Sequence, residues 1–524
     1  MGVSNDGLRD DEPGGRPARP QADDQPLVSR RRMLQTAGGS IAAAALVGCE
    51  IPQEAQPPGQ PGAQQEPSSE AQPRLPDLTG RLARYMVQSR DLDLSPGVAL
   101  AAKHRILDTL GAVVSGARLK PGEMAIKYIR GQAGVPEASV ATTNIMTSAV
   151  NAAFANAMFG HADETDDFHP FTKAHPGCSV VPAALAMGER EASTGIELLR
   201  AVTLGYDLCC RILMALGPAL VRANGRSAEG YSATFGATAA AAALARFDET
   251  AMRYAISYGV QQTSGVWSWE RDVEHIEKAF DFSGMGARNG VAAVTMIQAG
   301  FTGVTDALDG APNFIDAQST EPNPEALVAD LGSRFYVEET ALKTFPVGYP
   351  IQSPLAAFFT LRDEHGLTAD NVEHVLLRLP ADGARIVDNR AMPDVNIQHI
   401  VAVALVDGFI DLENSHSYER MSDPVVLAAR ERVELVADPD LAVVEAPRSG
   451  LVEVTLRDGR RVELFVSHAP GTPENPLDTE AVNAKARGLM TPILGEARTE
   501  GLIQRINALE ELNDVRELRP FLTL

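Results

Sequence analysis

The segment from Gly160 to Gly177, GHADETDDFHPFTKAHPG, places three histidines, four carboxylates and one lysine within eighteen residues, in a chain that has ten histidines in all. Ionisable groups this close shift one another's pKa values, because like charges oppose ionisation and opposite charges favour it. Side chains of these types serve proton transfer, metal binding or both. His161, Asp163, Asp167, His169 and His175 are legitimate ligands for zinc, iron or manganese, but their spacing matches no metal motif. A hydrated acidic loop whose histidines cap helices is the third reading of the same residues.

Two lysines add to the chemistry. Lys278 lies in HIEKAFDFSGMGARNG and Lys343 in LKTFPVGYPIQSP. A lysine is a mobile point charge that binds a carboxylate or donates a proton, and the neighbouring Gly, Pro and Ser residues set these two apart from ordinary surface lysines. Arg288, in the same Gly-rich stretch as Lys278, is a further candidate anion clamp. Gly284-Met285-Gly286 followed by Gly290 is not a dinucleotide fingerprint, since no strand precedes it. Ser232 and Thr234 in GYSATFG lack the frame of a hydrolase elbow and read as helix-start residues. Trp267 and Trp269 read as buried packing before pocket lining, and the vicinal pair Cys209-Cys210 as core.

These residues need elements to hold them. The apolar pattern from 78 to about 335 is helical almost throughout: Ala99–Val114, Ala149–Phe159, Val181–Met187, Gly236–Arg246 and Gly290–Ala299 all carry Ala-rich apolar faces. Ala149–Phe159 should end at Gly160, leaving His161–Thr172 on a loop, with Pro176 in the first turn of the next helix. His175 then stands just ahead of a helix N-terminus, where free N–H groups receive a carboxylate. From 336 to 515 the character changes to α+β. Val372–Leu379, Gly450–Leu456 and Arg461–Phe465 alternate as strands, and Arg457-Asp458-Gly459-Arg460 is a hairpin signal. Helices are expected over Ser353–Glu364, His399–Phe409 and Glu480–Leu489. The expected fold is mainly α with an α+β part: an all-helical bundle domain and a smaller α+β lid domain.

The whole chain has 524 residues and a formal charge of −23, from 46 basic and 69 acidic side chains. That balance argues against nucleic acid or an anionic membrane surface as the main partner. The four cysteines, Cys49, Cys178, Cys209 and Cys210, form no zinc, disulfide or iron–sulfur pattern. Residues 1–49 contain Ser29-Arg30-Arg31-Arg32-Met33-Leu34 ahead of an uncharged Ala-rich run, the layout of a twin-arginine signal. The run closes on Leu46-Val47-Gly48-Cys49, a lipoprotein-type box with Cys49 as the lipidation site. Export by the twin-arginine machinery, to the periplasm or to a lipid-anchored position, is the expectation. Residues 50–77, rich in Pro, Gln, Glu and Ser, read as a solvated tether.

Eight stretches in order resemble the MmgE/PrpD family of 2-methylcitrate dehydratase and cis-aconitate decarboxylase, which includes an iminodisuccinate epimerase. They are LDTLGAVVSG (Leu107–Gly116), NAAFANAMFGHADETDD (Asn151–Asp167), HPGCSVVPAALAMGE (His175–Glu189), GYDLCCRI (Gly205–Ile212), ATFGATAAAAAL (Ala233–Leu244), ARNGVAAVTMIQAGFTG (Ala287–Gly303), KTFPVGYPIQSP (Lys343–Pro354) and APGTPENPLDTEAVNAK (Ala469–Lys485). The resemblance implies a homodimeric, cofactor-independent enzyme for small di- or tricarboxylic acids, with its site between a helical domain and an α+β lid. It places the family's catalytic aspartate at Glu164, its acidic pair at Asp166 and Asp167, its His-Pro-Gly histidine at His175 and its two substrate-binding lysines at Lys278 and Lys343. The sequence also departs from the pattern. Phe168 stands where threonine is usual, Tyr231-Ser232 lies where a histidine is usual, and VGYPIQSP lacks another. Asn396-Ile397-Gln398-His399 offers an imidazole from a different direction.

The leading expectation is a lyase that removes a proton next to a carboxylate and expels a β-hydroxyl, or its decarboxylating relative. Glu164 and His175 supply acid and base, and Lys278 and Lys343 stabilise the enolate-like charge. His161, Asp167 and Arg288 contribute to substrate binding, and neither metal nor cofactor takes part. Two alternatives stand beside it: a catalytically impaired periplasmic carboxylate-binding protein, and a metal-dependent hydrolase built on the His/Asp loop.

Overall fold

The computed structural model describes residues 75–524 apart from Ala133 and Val444. The expected twin-arginine signal, Cys49 and all but the last three residues of the 50–77 tether lie outside the described residues. Among the described residues no helix is long and apolar enough to cross a membrane.

The longer helices of the first part are α1 (Leu78–Ser89), α2 (Pro96–Gly116), α3 (Lys120–Arg130), α4 (Ala149–Gly160), α5 (Pro176–Glu191), α6 (Gly195–Leu216), α7 (Ala228–Leu244), α8 (Glu249–Gln262) and α9 (Met285–Gln298). Their boundaries follow local signals. Ser148 caps α4 through Asn151 N at 3.3 Å, and Thr194 with Glu197 forms a capping box on α6. The centre of the bundle is α7, every residue of which is buried, packed against α5, α6 and α9. A helix surrounded on all sides must be apolar all round, and its run of alanines keeps its neighbours close. Ser227, rather than Ser232 or Thr234, caps it; those two hydroxyls lie inside the helix and bond back to carbonyls.

The second part contains α10 (Gln352–His365) and α11 (Ile397–Asp407), laid on a four-stranded sheet of β1 (Val372–Leu379), β2 (Val433–Ala437), β3 (Gly450–Leu456) and β4 (Arg461–Val466). The strand order is β2-β1-β3-β4, with β1 and β2 parallel and the other pairs antiparallel. Alternate residues Val452, Val454 and Leu456 face a second core that includes Leu355, Phe358, Ile400 and Val403. The hairpin at 457–460 turns on Gly459, whose φ of 88° lies in the left-handed region.

The carboxy-terminal helices α12 (Thr479–Leu494) and α13 (Glu496–Asn507) lie within the expected 336–515 span but pack away from its sheet. Val482, Ala486 and Met490 of α12 belong to the core of the helical bundle, and α12 lies on α2. The apolar stripe at helical spacing marks a buried face, but periodicity alone does not say which core it joins.

Close helix approach fixes Gly205 of α6 against Gly236 of α7. A Cβ on Gly205 would stand 2.4 Å from Val180 Cγ1 and 3.0 Å from the Gly236 carbonyl oxygen. Gly205→Ala therefore overpacks the bundle centre and is expected to cost about 1–3 kcal/mol. Thermal unfolding followed by circular dichroism reads this as a lower melting temperature; an unchanged one means that α6 and α7 separate without cost.

Candidate active site

The loop between α4 and α5 is unusual for a loop in being buried almost from end to end, so each of its polar groups needs a partner. Asp163 accepts from Thr165 N at 3.0 Å and from the Ser115 hydroxyl. Lys485 of α12 pairs with Asp108 Oδ1 at 2.6 Å and donates to the Thr165 carbonyl at 2.7 Å. Asp167 Oδ1 accepts from Gly177 N at 2.8 Å. The start of α5, expected to be open to a substrate carboxylate, is thus occupied by one from the same loop.

A short antiparallel contact delivers the second lysine. Phe168 and Ala341 exchange backbone hydrogen bonds of 2.9 and 2.7 Å. Counting outward from that pair sets residue 166 opposite residue 343. Lys343 Nζ accordingly lies 3.1 Å from Asp166 Oδ1 and 3.0 Å from Glu164 Oε2. Lys278, in a helical turn ahead of a π-helical segment at Phe280–Gly284, contacts Glu164 Oε1. One buried carboxylate therefore receives two ammonium groups that are far apart in the sequence. Single-turn π segments recur at functional sites because they re-aim side chains. Here the turn puts Phe282 under His161, stacked at 4.2 Å.

Asp166 also joins two imidazoles, with His161 Nδ1 at 2.8 Å and His175 Nδ1 at 3.0 Å from its Oδ2. Burial opposes its charge, but His161, Lys343 and His175 hold its carboxyl well below the usual carboxylate range. An ionised carboxylate only accepts, so both Nδ1 atoms carry the proton. In the neutral tautomer this leaves Nε2 of His175 as the lone pair, and His175 lines the cavity. Burial pushes the Lys278 ammonium down to about 7, opposed by Asp394 and assisted by Lys343 and Arg390. That is a value at which a lysine exchanges a proton at neutral pH.

The cavity over this cluster has an empty volume of about 640 Å³, open mouth included. Glu164, His175, Lys278 and Phe282 come from the helical part, while Tyr349, Pro350, Arg390 and Val395 come from the α+β part. Phe168 stacks on Tyr349 at 4.0 Å and meets the His175 ring edge-on at 5.2 Å. Trp269, expected in the core, is buried and also lines the cavity, with its indole N–H unpartnered among the described residues.

Of the residues singled out from sequence, Glu164, His175, Lys278 and Lys343 come together. His161 lies behind Glu164, 3.6 Å from it and fully buried, and is not part of the cavity wall. Asp167 is likewise enclosed, as the cap just described. Arg288 is not in the wall either: Gly286 and Gly290 are helix-packing residues of α9, where a Cβ would reach the α7 backbone at 2.7 and 2.5 Å, so the expected turn is helix. The Arg288 guanidinium instead bonds Asn289 Oδ1 at 3.1 Å and lies over Phe280. His399 is buried in α11 with both ring nitrogens unpartnered and does not enter the cavity.

The extra imidazole comes from His275, which sequence reading passed over. Its Nε2 is 3.4 Å from Glu164 Oε1 and its Nδ1 is 3.5 Å from Asp394 Oδ2. Its place three residues before Lys278 was the available signal; Asp394, in the plain stretch MPDV, offered none. Glu164 (φ 54°) and His275 (φ 61°) both adopt left-handed backbone conformations, which non-glycine residues occupy only where the surroundings enforce them.

Among the described residues, two groups have the donor atoms of a metal site. Ligand atoms of His161, Glu164 and His275 lie within 4.8 Å of one another, as do those of His161, Asp166 and Cys178. In both, the positive charge is supplied by lysine, with Lys278 and Lys343 on Glu164 and Lys343 on Asp166. An ion there has to displace an ammonium group.

A buried lysine–carboxylate–histidine cluster lies under a cavity between a helical bundle and an α+β unit, and its side chains are of the types that exchange protons and pair with anions. The MmgE/PrpD N-terminal domain matches residues 80–327 and the MmgE/PrpD C-terminal domain matches residues 345–511. The chain belongs to the MmgE/PrpD family, and that membership supports a lyase of dehydratase or decarboxylase type at the level of the family. Similar proteins include the cis-aconitate decarboxylase-like protein oryM of Aspergillus oryzae, 22% identical over 84% of this chain and 96% of the relative. A cis-aconitate decarboxylase of Aspergillus terreus is 23% identical over 84% of this chain and 95% of the relative.

Asp281, in the π-helical segment, accepts from the Ser227 hydroxyl, and burial pushes its carboxyl up to about 8. A carboxyl whose folded pKa is raised contributes stability that is complete below its unfolded value near 4 and is lost as the pH rises toward 8. Asp281→Asn removes that loss. The melting temperature of the variant is expected to rise relative to wild type at pH 8.5 and by clearly less at pH 5.5; equal shifts at both pH values contradict the assignment.

Proposed function

We propose that the protein is a cofactor-independent lyase that removes a proton next to a carboxylate of a di- or tricarboxylic acid with loss of a β-hydroxyl, or that releases CO2 from such an acid. The observation that carries this reading is the convergence on Glu164 of Lys278, which lines the cavity, and of Lys343, fully buried behind the wall. Glu164 and Asp166 balance the two ammonium groups. An arriving substrate carboxylate leaves one negative charge in excess, so its binding draws in a proton, which the leaving group then needs.

His175 is the base. Its Nε2 takes the proton from carbon, the C–H electron pair becomes the new double bond as the C–O bond breaks, and hydroxide departs as water with the proton held on Glu164. The fixed ammonium groups stabilise the charge that builds on the substrate carboxylate. In the decarboxylating variant no proton is first removed: the C–CO2 bond breaks, its electron pair shifts into an adjacent double bond of an unsaturated acid, and His175, protonated at the start of the step, delivers a proton to the carbon where the pair arrives. Homodimeric assembly and twin-arginine export, with Cys49 as a lipid anchor, belong to the same proposal and are supported by the family resemblance and by the amino-terminal motif.

A second reading, a carboxylate-binding protein without turnover, is supported by Phe168, which packs between Tyr349 and His175 where threonine is usual in the family. The assay offers hydroxy-tricarboxylates and cis-aconitate to the purified protein and follows alkene absorbance and CO2. His175→Ala and Lys343→Ala are each expected to lower kcat by about 10²–10⁴. Full activity in both variants overturns the lyase mechanism. Tight calorimetric binding of a tricarboxylate without any turnover selects the second reading, and loss of activity on chelation, restored by a divalent metal, selects a metal-dependent hydrolase.

A further inference from the structure

The cavity has a second cationic end that the chemistry above does not use. Lys173, Arg222 and Arg448 line it; burial lowers the Lys173 and Arg222 pKa values, and the charge of Arg448 lowers both further. The positive groups acting on Lys278 are instead Lys343 and Arg390, so the cations fall into two separate sets. Asp382 pairs with Arg448 at 2.8 Å and Glu229 lies near Arg222, while burial pushes Lys173 down to about 6, so Lys173 is the group of the outer set that an arriving anion recharges. In a chain of net charge −23, gathering three basic side chains at one end of a cavity asks for an anion.

Their donors are free to meet one. Among the described residues, Lys173 and Arg222 have neither an ion pair nor a side-chain hydrogen bond, and the buried Nε atoms of Arg222 and Arg448 are unpartnered. Arg448 is only 7% exposed, and a guanidinium enclosed to that degree with an idle donor is costly unless a ligand supplies the acceptor.

Aromatic rings connect the two ends along both walls. On one side Lys278 lies 5.7 Å from the Trp269 ring, Trp269 lies 5.5 Å from Trp267, and Arg222 lies 4.4 Å from Trp267. On the other, the ring of Phe168 is 5.2 Å from that of His175 and 5.7 Å from Lys173 Nζ. Tyr349, stacked on Phe168, senses both Arg448 and Lys343. A ligand filling this space has charge at both ends and an apolar body between them.

We infer that Lys173, Arg222 and Arg448 form a second carboxylate subsite, and that the protein acts on an elongated dicarboxylic acid whose far carboxylate lies beyond an apolar spacer. This rests on the reading of Lys278 and Lys343 as the inner carboxylate site, and names the shape of the acid that site receives.

The test is calorimetric titration of the full-length protein with succinate, adipate, suberate and sebacate, beside hexanoate and octanoate. The second carboxylate is expected to strengthen binding at least about tenfold over the monocarboxylate of matching length, only in the longer diacids. Arg222→Gln, at a half-buried residue whose side chain has no hydrogen bond to lose, is expected to abolish that advantage and leave octanoate affinity unchanged; Arg448→Gln is expected to do the same. Lys343→Gln is expected to weaken both ligand types. The subsite is overturned if no diacid outbinds its monocarboxylate, or if the advantage survives both arginine variants. If the advantage depends on Arg222 while Lys343→Gln changes neither ligand, the outer subsite stands and the lyase reading of the inner cluster falls.

Discussion

The structure depends on pairing two buried carboxylates, Glu164 and Asp166, with two buried lysines, Lys278 and Lys343. Removing an ion from water costs several kcal/mol even after relaxation, and a partner's attraction offsets this only when geometry and hydrogen bonds are good. Glu164, Asp166, Lys278 and Lys343 meet that condition jointly. Each comes from a segment held by other parts of the fold: the buried loop after α4, the helical turn before the π segment, and the strand-like stretch bridged to Phe168. None of these segments can shift alone without leaving a buried charge unpaired, so the cluster ties the loop, the bundle and the start of the α+β part to one arrangement.

The same condition explains why strain collects here. Glu164 and His275 both hold left-handed backbone conformations, and they meet within 3.4 Å. Each such conformation costs about 1–2 kcal/mol for a residue with a Cβ. The charge pairing that needs Glu164 at that place supplies the compensation. Asp394 extends the pattern, since burial opposes its charge while His416, His275 and Lys278 hold its carboxyl well below the usual range. Acidic groups that stay ionised inside the protein are what keep neighbouring imidazoles in a single tautomer.

Much of this was legible in the residues. The loop limits at Gly160 and Pro176 followed from helix punctuation, and strands β1 and β3 from alternation, because both signals are local. The four central side chains were recognisable from residue type together with the order of family motifs. What stayed hidden was tertiary. Nothing local distinguishes Asp167, which closes the start of α5, from Asp166, one residue earlier, which charges the site. Gly286 suggested a turn because glycine marks turns and tight helix contacts alike, and only the proximity of α7 decides between them. The path of α12 back to the bundle, and the use of His275 in place of His399, depend on which faces meet and not on any pattern along the chain.

The departures from the family pattern change the character of the cavity without emptying it of chemistry. Phe168 brings an aromatic face where a hydroxyl is usual, and Tyr349 and the two tryptophans continue that surface away from the lysines. A hydroxyl-rich wall suits a compact, highly oxygenated acid, whereas aromatic walls favour hydrocarbon and disfavour buried hydroxyl groups that find no acceptor. In the proposed reaction a base, two lysines and an exchangeable proton act on a single carboxylate and its neighbouring carbon. On that proposal, discrimination moves along the cavity, from the reacting groups to the apolar length and the distant basic side chains that would select the acid.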